Sequence, residues 1–384
     1  MKLLLMTFAI GLLAMAMPQT LLASSCTAPS ISTTVDLPAA PFQAIASPDD
    51  CWLFVSMAIS ENRGAVAVLR NQDGIVKLDH RVELKGAGFG EALTHDGALL
   101  VVTTDNGIAV LDVGKLERND SDALLGTLSS DAHAGSVYAA VSLDDRRLFV
   151  SEEYARNISV WDLDKARQKE FGASALIGHI PTATAPVGLA LSPDGHWLFA
   201  TSETMPPTMH MPADCKAEGP NGHPHAQGLL LRIDADKALS DPVHAVVAAT
   251  PAGCNPVRVA LSPSGKTVWI TARGDDALLR LQTDELQAGT HDIHVSKFPI
   301  GPSPIGVAVR PDGAQVWVAI SDRFSKGGGG RLAGFTNIDS VTPTSVLSAP
   351  APGFPREVTF LRDGHTLIAT LFTAKQVTLI PTSR

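Results

Sequence analysis

The sequence predicts an all-β chain folded as a seven-bladed β-propeller, with its N-terminal strand joining the last blade to close the ring. Three observations carry that expectation. A two-strand phrase recurs seven times: AIASPDDCWLFVS, EALTHDGALLVVT, AAVSLDDRRLFVS, LALSPDGHWLFAT, VALSPSGKTVWIT, VAVRPDGAQVWVA and VTFLRDGHTLIAT. Its last turn residues, Asp50, Gly97, Asp145, Gly195, Gly265, Gly313 and Gly364, are separated by 47, 48, 50, 70, 48 and 51 residues, a period that suits four short strands and their turns. The final repeat supplies only VTFL, TLIAT and QVTLI, while TTVDLPAAPF places an extra strand ahead of the first repeat, so the two chain ends complete one blade.

Taken in order, the first 25 of the 384 residues stand apart from the repeats. Lys2 precedes the apolar run LLLMTFAIGLLAMAM, and small residues follow at Ala23, Ser24 and Ser25. A charged start, a short apolar run and a small-residue end describe a secretory signal peptide rather than a membrane span. Residues 26–384 are then expected to be the propeller, exported to the periplasm or beyond the cell. The net charge of −9 disfavours general nucleic-acid affinity, which depends on neutralising phosphates.

Within each repeat, alternating apolar residues predict a strand with one buried face. Pro-Asp-Gly and its variants predict a tight turn, because glycine tolerates positive φ. GIAVLDV, NISVWDLD, GLLLRIDAD and ALLRLQTD supply third strands, and less regular segments such as HDIHVSKFPI the fourth. Helical periodicity is essentially absent.

One interval is about twenty residues too long. It contains ETMPPTMHMPADCKAEGPNGHPHAQG, residues 203–228, between the second and third strands of blade four, and so belongs on the top face. This stretch holds three of the four methionines outside the leader, Met205, Met209 and Met211, beside His210, His223 and His225. Thioether and imidazole donors together suit copper, which makes a copper site one reading of the segment. A proline-stiffened lid whose methionines fill gaps is the favoured one. His133, in the loop SDAHAGSV, could approach from the neighbouring blade.

Five repeats also carry proline six residues before the turn serine or its equivalent, at Pro41, Pro186, Pro256, Pro304 and Pro355. The pattern Pro-x-x-V-A-hydrophobic-S-P-D-G followed by a V-W-V-A or L-F-V-S strand resembles the YVTN-repeat family of seven-bladed propellers and, more loosely, propellers of the lactonase type. The resemblance spans nearly the whole chain after the leader. It implies the fold; for function it implies a binding scaffold, a redox-associated protein or a lactone hydrolase. SVWDLD also resembles the WD40 signature, but it occurs once and lacks the matching Gly-His dipeptides.

Four cysteines in an exported chain suggest two disulfides. Cys215 lies in the top-face insertion and Cys254 in the top loop leading into blade five, so the pair would staple the insertion. Cys26 precedes the closing strand and Cys51 follows a bottom turn, so that pair would fasten the N-terminus near the seam. LASSC is an imperfect lipobox, with leucine one position too far from Cys26; the disulfide is preferred to a lipid anchor.

Ligands of propellers usually sit at the top mouth of the central channel. Four positions before each turn serine stand Gln43, Gly90, Tyr138, Gly188, Arg258, Gly306 and Glu357. Glu91, Tyr138, Arg258, Arg356 and Glu357 are the candidate ligand-binding residues there. Inner-strand charges need partners or water, so Arg258 and Glu357 could alternatively form an ion pair bridging blades. Glu152 and Glu153 end a second strand; on a strand they point to opposite faces, which predicts a solvated rim rather than a catalytic pair. No G-x-S-x-G motif or compact metal motif is present. The expected role is binding a small molecule or an envelope protein through the top face, with lactone hydrolysis and copper binding as alternatives.

Overall fold

The computed structural model describes residues 26–129, 133–206, 215, 217–218, 223–224, 226–287, 293–324, 329–338, 340 and 343–382. Seven four-stranded antiparallel sheets follow one another at residues 40–85, 88–128, 136–181, 184–254, 256–299, 304–350 and 355–381. We number them blades one to seven. In blades one to six the strands lie in chain order. In blade seven Thr33–Asp36 is the outer strand, with Thr33 opposite Leu379 and Asp36 opposite Gln376.

The closing seam is held at three levels. Val35, Val377 and Leu379 of blade seven pack with Ala44, Val55 and Ala67 of blade one. At the top, Thr370 Oγ1 donates to Phe42 O at 2.9 Å. At the bottom, the Asp50 carboxylate accepts from the backbone amides of Arg362 and Asp363 at 2.8 and 3.1 Å. Asp50 can do this because it occupies the left-handed turn position, φ 58°, that Gly195 fills in blade four at φ 76°. Asp145 repeats the device two blades further round the ring, accepting from the amides of His95 and Asp96.

Two details differ from the strand patterns read in the sequence. Second strands such as Leu99–Thr104 and Gln315–Ile320 are buried at every position rather than on one face, because each blade is covered by a neighbour on both sides. Trp317 of blade six, for instance, packs against Val358, Leu367 and Ala369 of blade seven. Two single-turn α-helices, Val113–Glu117 and Leu163–Arg167, also follow third strands. Their N-caps are Asp112 and Asp162, whose carboxylates accept from the amides of Lys115 and Asp164 at 2.9 and 3.0 Å.

Both disulfides form, Cys26–Cys51 and Cys215–Cys254, with Cα–Cα distances of 5.0 and 5.6 Å. The second ties the blade-four insertion to the end of that blade's own outer strand, where Cys254 lies, rather than to a loop leading into blade five. Inside the insertion, Ala217–Glu218 pairs with His223–Pro224. Met205 is half-buried against the core shared by blades three and four. Met209, His210, Met211 and His225 lie outside the described residues, as does the His223 side chain, so the copper reading falls there too. Among the described residues no group of three or more His, Cys, Asp or Glu could hold a metal ion. Residues 1–25 likewise lie outside them, and no described helix is long and apolar enough to cross a membrane.

Candidate functional site

The site is built by a bulge that every blade repeats. The inner-strand register slips between Pro41 and Ala44 in blade one, Pro186 and Gly188 in blade four, Pro256 and Val259 in blade five and Pro355 and Val358 in blade seven. Blades two, three and six slip at the corresponding place. A bulge leaves an amide without its ladder partner, and a hydroxyl on the second strand takes it up. Ser151 accepts from the amide of Tyr138, Thr271 from Arg258 and Thr370 from Glu357, each at 3.1 Å. The hydroxyl then donates to the next blade: Thr201 to Val257 O at 2.8 Å and Thr271 to Ile305 O at 2.6 Å. Because the bulge interrupts the alternation of the strand, two consecutive residues per blade face the central axis, and the ring carries two tiers.

The lower tier is the set singled out in the sequence. Its glycines let neighbouring inner strands touch: a Cβ on Gly188 would lie 2.5 Å from Val257 O, and one on Gly306 would lie 2.8 Å from Arg356 O. Arg258 and Glu357, from blades five and seven, meet with Nε 2.7 Å from Oε1 while each side chain is only 5% exposed. Arg258 Nη1 also donates to Val187 O at 2.7 Å, and its guanidinium lies 4.7 Å from the Tyr138 ring centre. Of the two readings offered for these charges, the geometry is that of the ion pair bridging blades. Burial nevertheless pushes the Glu357 carboxyl up against the pull of Arg258 and Arg356. Burial, reinforced by Glu357, raises the Tyr138 phenol. Glu91 is buried on the blade-one side, where desolvation raises its carboxyl well above the usual range, and the amides of Ser56 and Ile45 offset this only in part.

The upper tier, one residue earlier in each blade, consists of Phe42, Phe89, Val137, Val187, Val257, Ile305 and Arg356. Val187, Val257 and Ile305 form an apolar cluster with Val137 and Phe354. On the opposite side of the mouth is a cavity of 220 Å³ with Phe42, Phe89, Val137 and Arg356 in its lining. Its upper walls are His133, Glu153 and Tyr154. Phe42 and Phe89 meet edge-to-face with ring centres 5.5 Å apart. The Arg356 guanidinium lies 3.8 Å from the Phe42 ring centre, a cation–π stack. Its Nε makes no hydrogen bond, and among the described residues no carboxylate lies within ion-pair distance of it. Burial, then the nearby Arg258, lower the Arg356 guanidinium to about 9.

Of the five ligand-binding candidates, only Arg356 lines this cavity; Glu91, Tyr138, Arg258 and Glu357 do not. The solvated rim expected at Glu152 and Glu153 is corrected for Glu152. Glu152 is 1% exposed, beside His179, whereas Glu153 faces the cavity. Burial, then Glu203, raise the Glu153 carboxyl despite Arg258, Arg273 and Arg356. A strict two-residue alternation hides Phe42 and Phe89, because it points only one residue per inner strand to the axis, and Tyr154 lies in the turn after the second strand of blade three, outside any strand pattern. A signal existed nonetheless: Arg356 is the one polar residue in an otherwise apolar repeat position. A larger cleft, 510 Å³, opens on the bottom face between blades four and five. Its arginine, Arg232, is already stacked on Trp197 at 3.6 Å and bonded to Leu286 O at 2.9 Å.

No family model matches the chain, and no curated protein matches it. Solved structures do. Hydrazine synthase of Kuenenia stuttgartiensis is similar at a TM-score of 0.66 and 17% identity, over 96% of this chain and 99% of that one. The β-propeller domain of Cps50 (Swd1) from Myceliophteria thermophila is similar at 0.61 and 12% identity, over 92% and 100%. At these identities the likeness is one of fold.

Proposed function

We propose that this chain is an exported propeller that binds a small molecule in the cavity at the top mouth of its ring. The observation that carries the proposal is Arg356, a guanidinium stacked on Phe42 and without an ion-pair partner among the described residues, at a position filled by Phe, Val or Ile in the other six blades. Desolvating an arginine is costly unless something repays it. An apolar residue would suit a purely structural role there as well as it does in the other blades. Aromatic walls with a few polar groups are the usual lining of a small-ligand site. Export accords with the two disulfides, which persist in oxidising compartments. Lactone hydrolysis is less well served, since Arg258 and Glu357 are bonded to each other rather than presented to the cavity.

The test is ligand-detected NMR with a panel of small aromatic and aliphatic compounds, comparing the wild type with Phe89→Trp, which narrows the cavity. Binding that is lost in the variant is the expected result. Binding unchanged by Phe89→Trp, or no binding by any compound, would refute the assignment.

A further inference from the structure

We infer that the ligand of this cavity is a small monocarboxylate with an apolar, flat body, its carboxylate held by Arg356 and its body by Phe42 and Phe89. The inference rests on the binding site proposed above and adds the chemical class.

The charges around the mouth decide the sign of the ligand. Two of its arginines are already engaged: Arg258 with Glu357 at 2.7 Å and Arg273 with Glu203 at 3.2 Å. Arg356 has no such carboxylate among the described residues, and it lines the cavity while its guanidinium rests on the Phe42 ring. Stacking one face of the planar cation leaves its edge for two parallel N–H···O bonds, the arrangement a carboxylate fits best. Burial depresses the pKa of this cation, so an incoming anion would relieve an existing cost.

The size and lining decide the rest. The 220 Å³ volume is below the ~300–1,000 Å³ of sites for drug-sized ligands. Phe42 and Phe89, edge-to-face, offer a ring face and a ring edge, which suits a flat apolar body. Of the two carboxylates in the lining, Asp105 accepts from the amide of Ala87 at 2.8 Å, and the other is Glu153, which faces Glu203, Arg258, Arg273 and Arg356 and shares the cavity with His133 and Tyr154. Burial raises its carboxyl, which lessens, without removing, its opposition to an anion.

The experiment measures the affinity of the purified protein, both disulfides formed, for benzoate, benzyl alcohol and benzylamine by calorimetry. These probes share a ring and differ in charge. Benzoate is expected to bind tightest, Arg356→Gln to weaken it by about tenfold or more, and Glu153→Gln to strengthen it at pH 8. The Glu153 variant leaves Arg356 in place, so the proposal stays testable if the Arg356 variant folds poorly. Benzyl alcohol binding as tightly as benzoate would overturn the carboxylate class and leave the cavity assignment standing. Benzylamine binding tightest would make Glu153 the recognising group and likewise overturn it. No binding by any of the three would refute both proposals.

Discussion

Replacing Glu357 with glutamine tests whether the channel is held by one ion pair. The Arg258–Glu357 contact is 2.7 Å long and both side chains are 5% exposed. Two unit charges about 4 Å apart in a medium of effective dielectric about 20 attract by about 4 kcal/mol. In the variant Arg258 keeps Val187 O at 2.7 Å and the Tyr138 ring at 4.7 Å, but no countercharge at that distance. The expected loss is about 3–5 kcal/mol, the range for a buried charge stripped of its partner. The double variant Arg258→Met, Glu357→Leu removes both desolvation costs and is expected to regain most of that loss. Urea denaturation at pH 8, followed by tryptophan fluorescence and far-UV circular dichroism, reads both values. A single-variant loss under about 1 kcal/mol, or a double variant as unstable as the two singles summed, would refute the argument.

Three further outcomes follow from the same structure. Glu91 is buried with a raised carboxyl, so the native state holds its proton more tightly than the unfolded chain does. Its contribution to stability is therefore greatest below the unfolded value of 4.5 and declines as pH rises toward the native value; Glu91→Gln is expected to flatten that part of the stability–pH curve, measured by urea midpoints. Asp50→Ala removes two hydrogen bonds across the seam and is expected to cost about 1–3 kcal/mol. Hydrogen exchange should quicken first in Thr33–Asp36 and the strands beside it, and uniform exchange would contradict the seam role. Replacing Cys215 and Cys254 with serine opens a loop of sequence separation 39 and is expected to cost ~2–4 kcal/mol. Limited proteolysis should then cut between residues 205 and 226, and an unaltered digest would argue that packing alone holds the segment.

The architecture is legible in the amino-acid sequence, because the information that specifies it is local and repeated. A turn Gly or Asp every 47 to 51 residues, with one interval of 70, and a strand displaced to the N-terminus leave few ways to bury seven apolar sheets. Both cysteine pairings followed once loops were assigned to faces, since a disulfide joins only what the fold already brings together. The site was only half legible. Strict alternation selects one axial residue per strand and points to Arg258 and Glu357. It cannot show that they would meet across the channel, because a contact between blades five and seven depends on ring closure. The bulge added the other half. By slipping one residue it turned Phe42, Phe89 and Arg356 to the axis as well, and so formed a second tier that the two-residue period hides. Whether a charge is spent inside the protein or kept for a ligand depends on which neighbours the closed ring brings near it. For Arg258 it brought Glu357, and for Arg356 the face of Phe42.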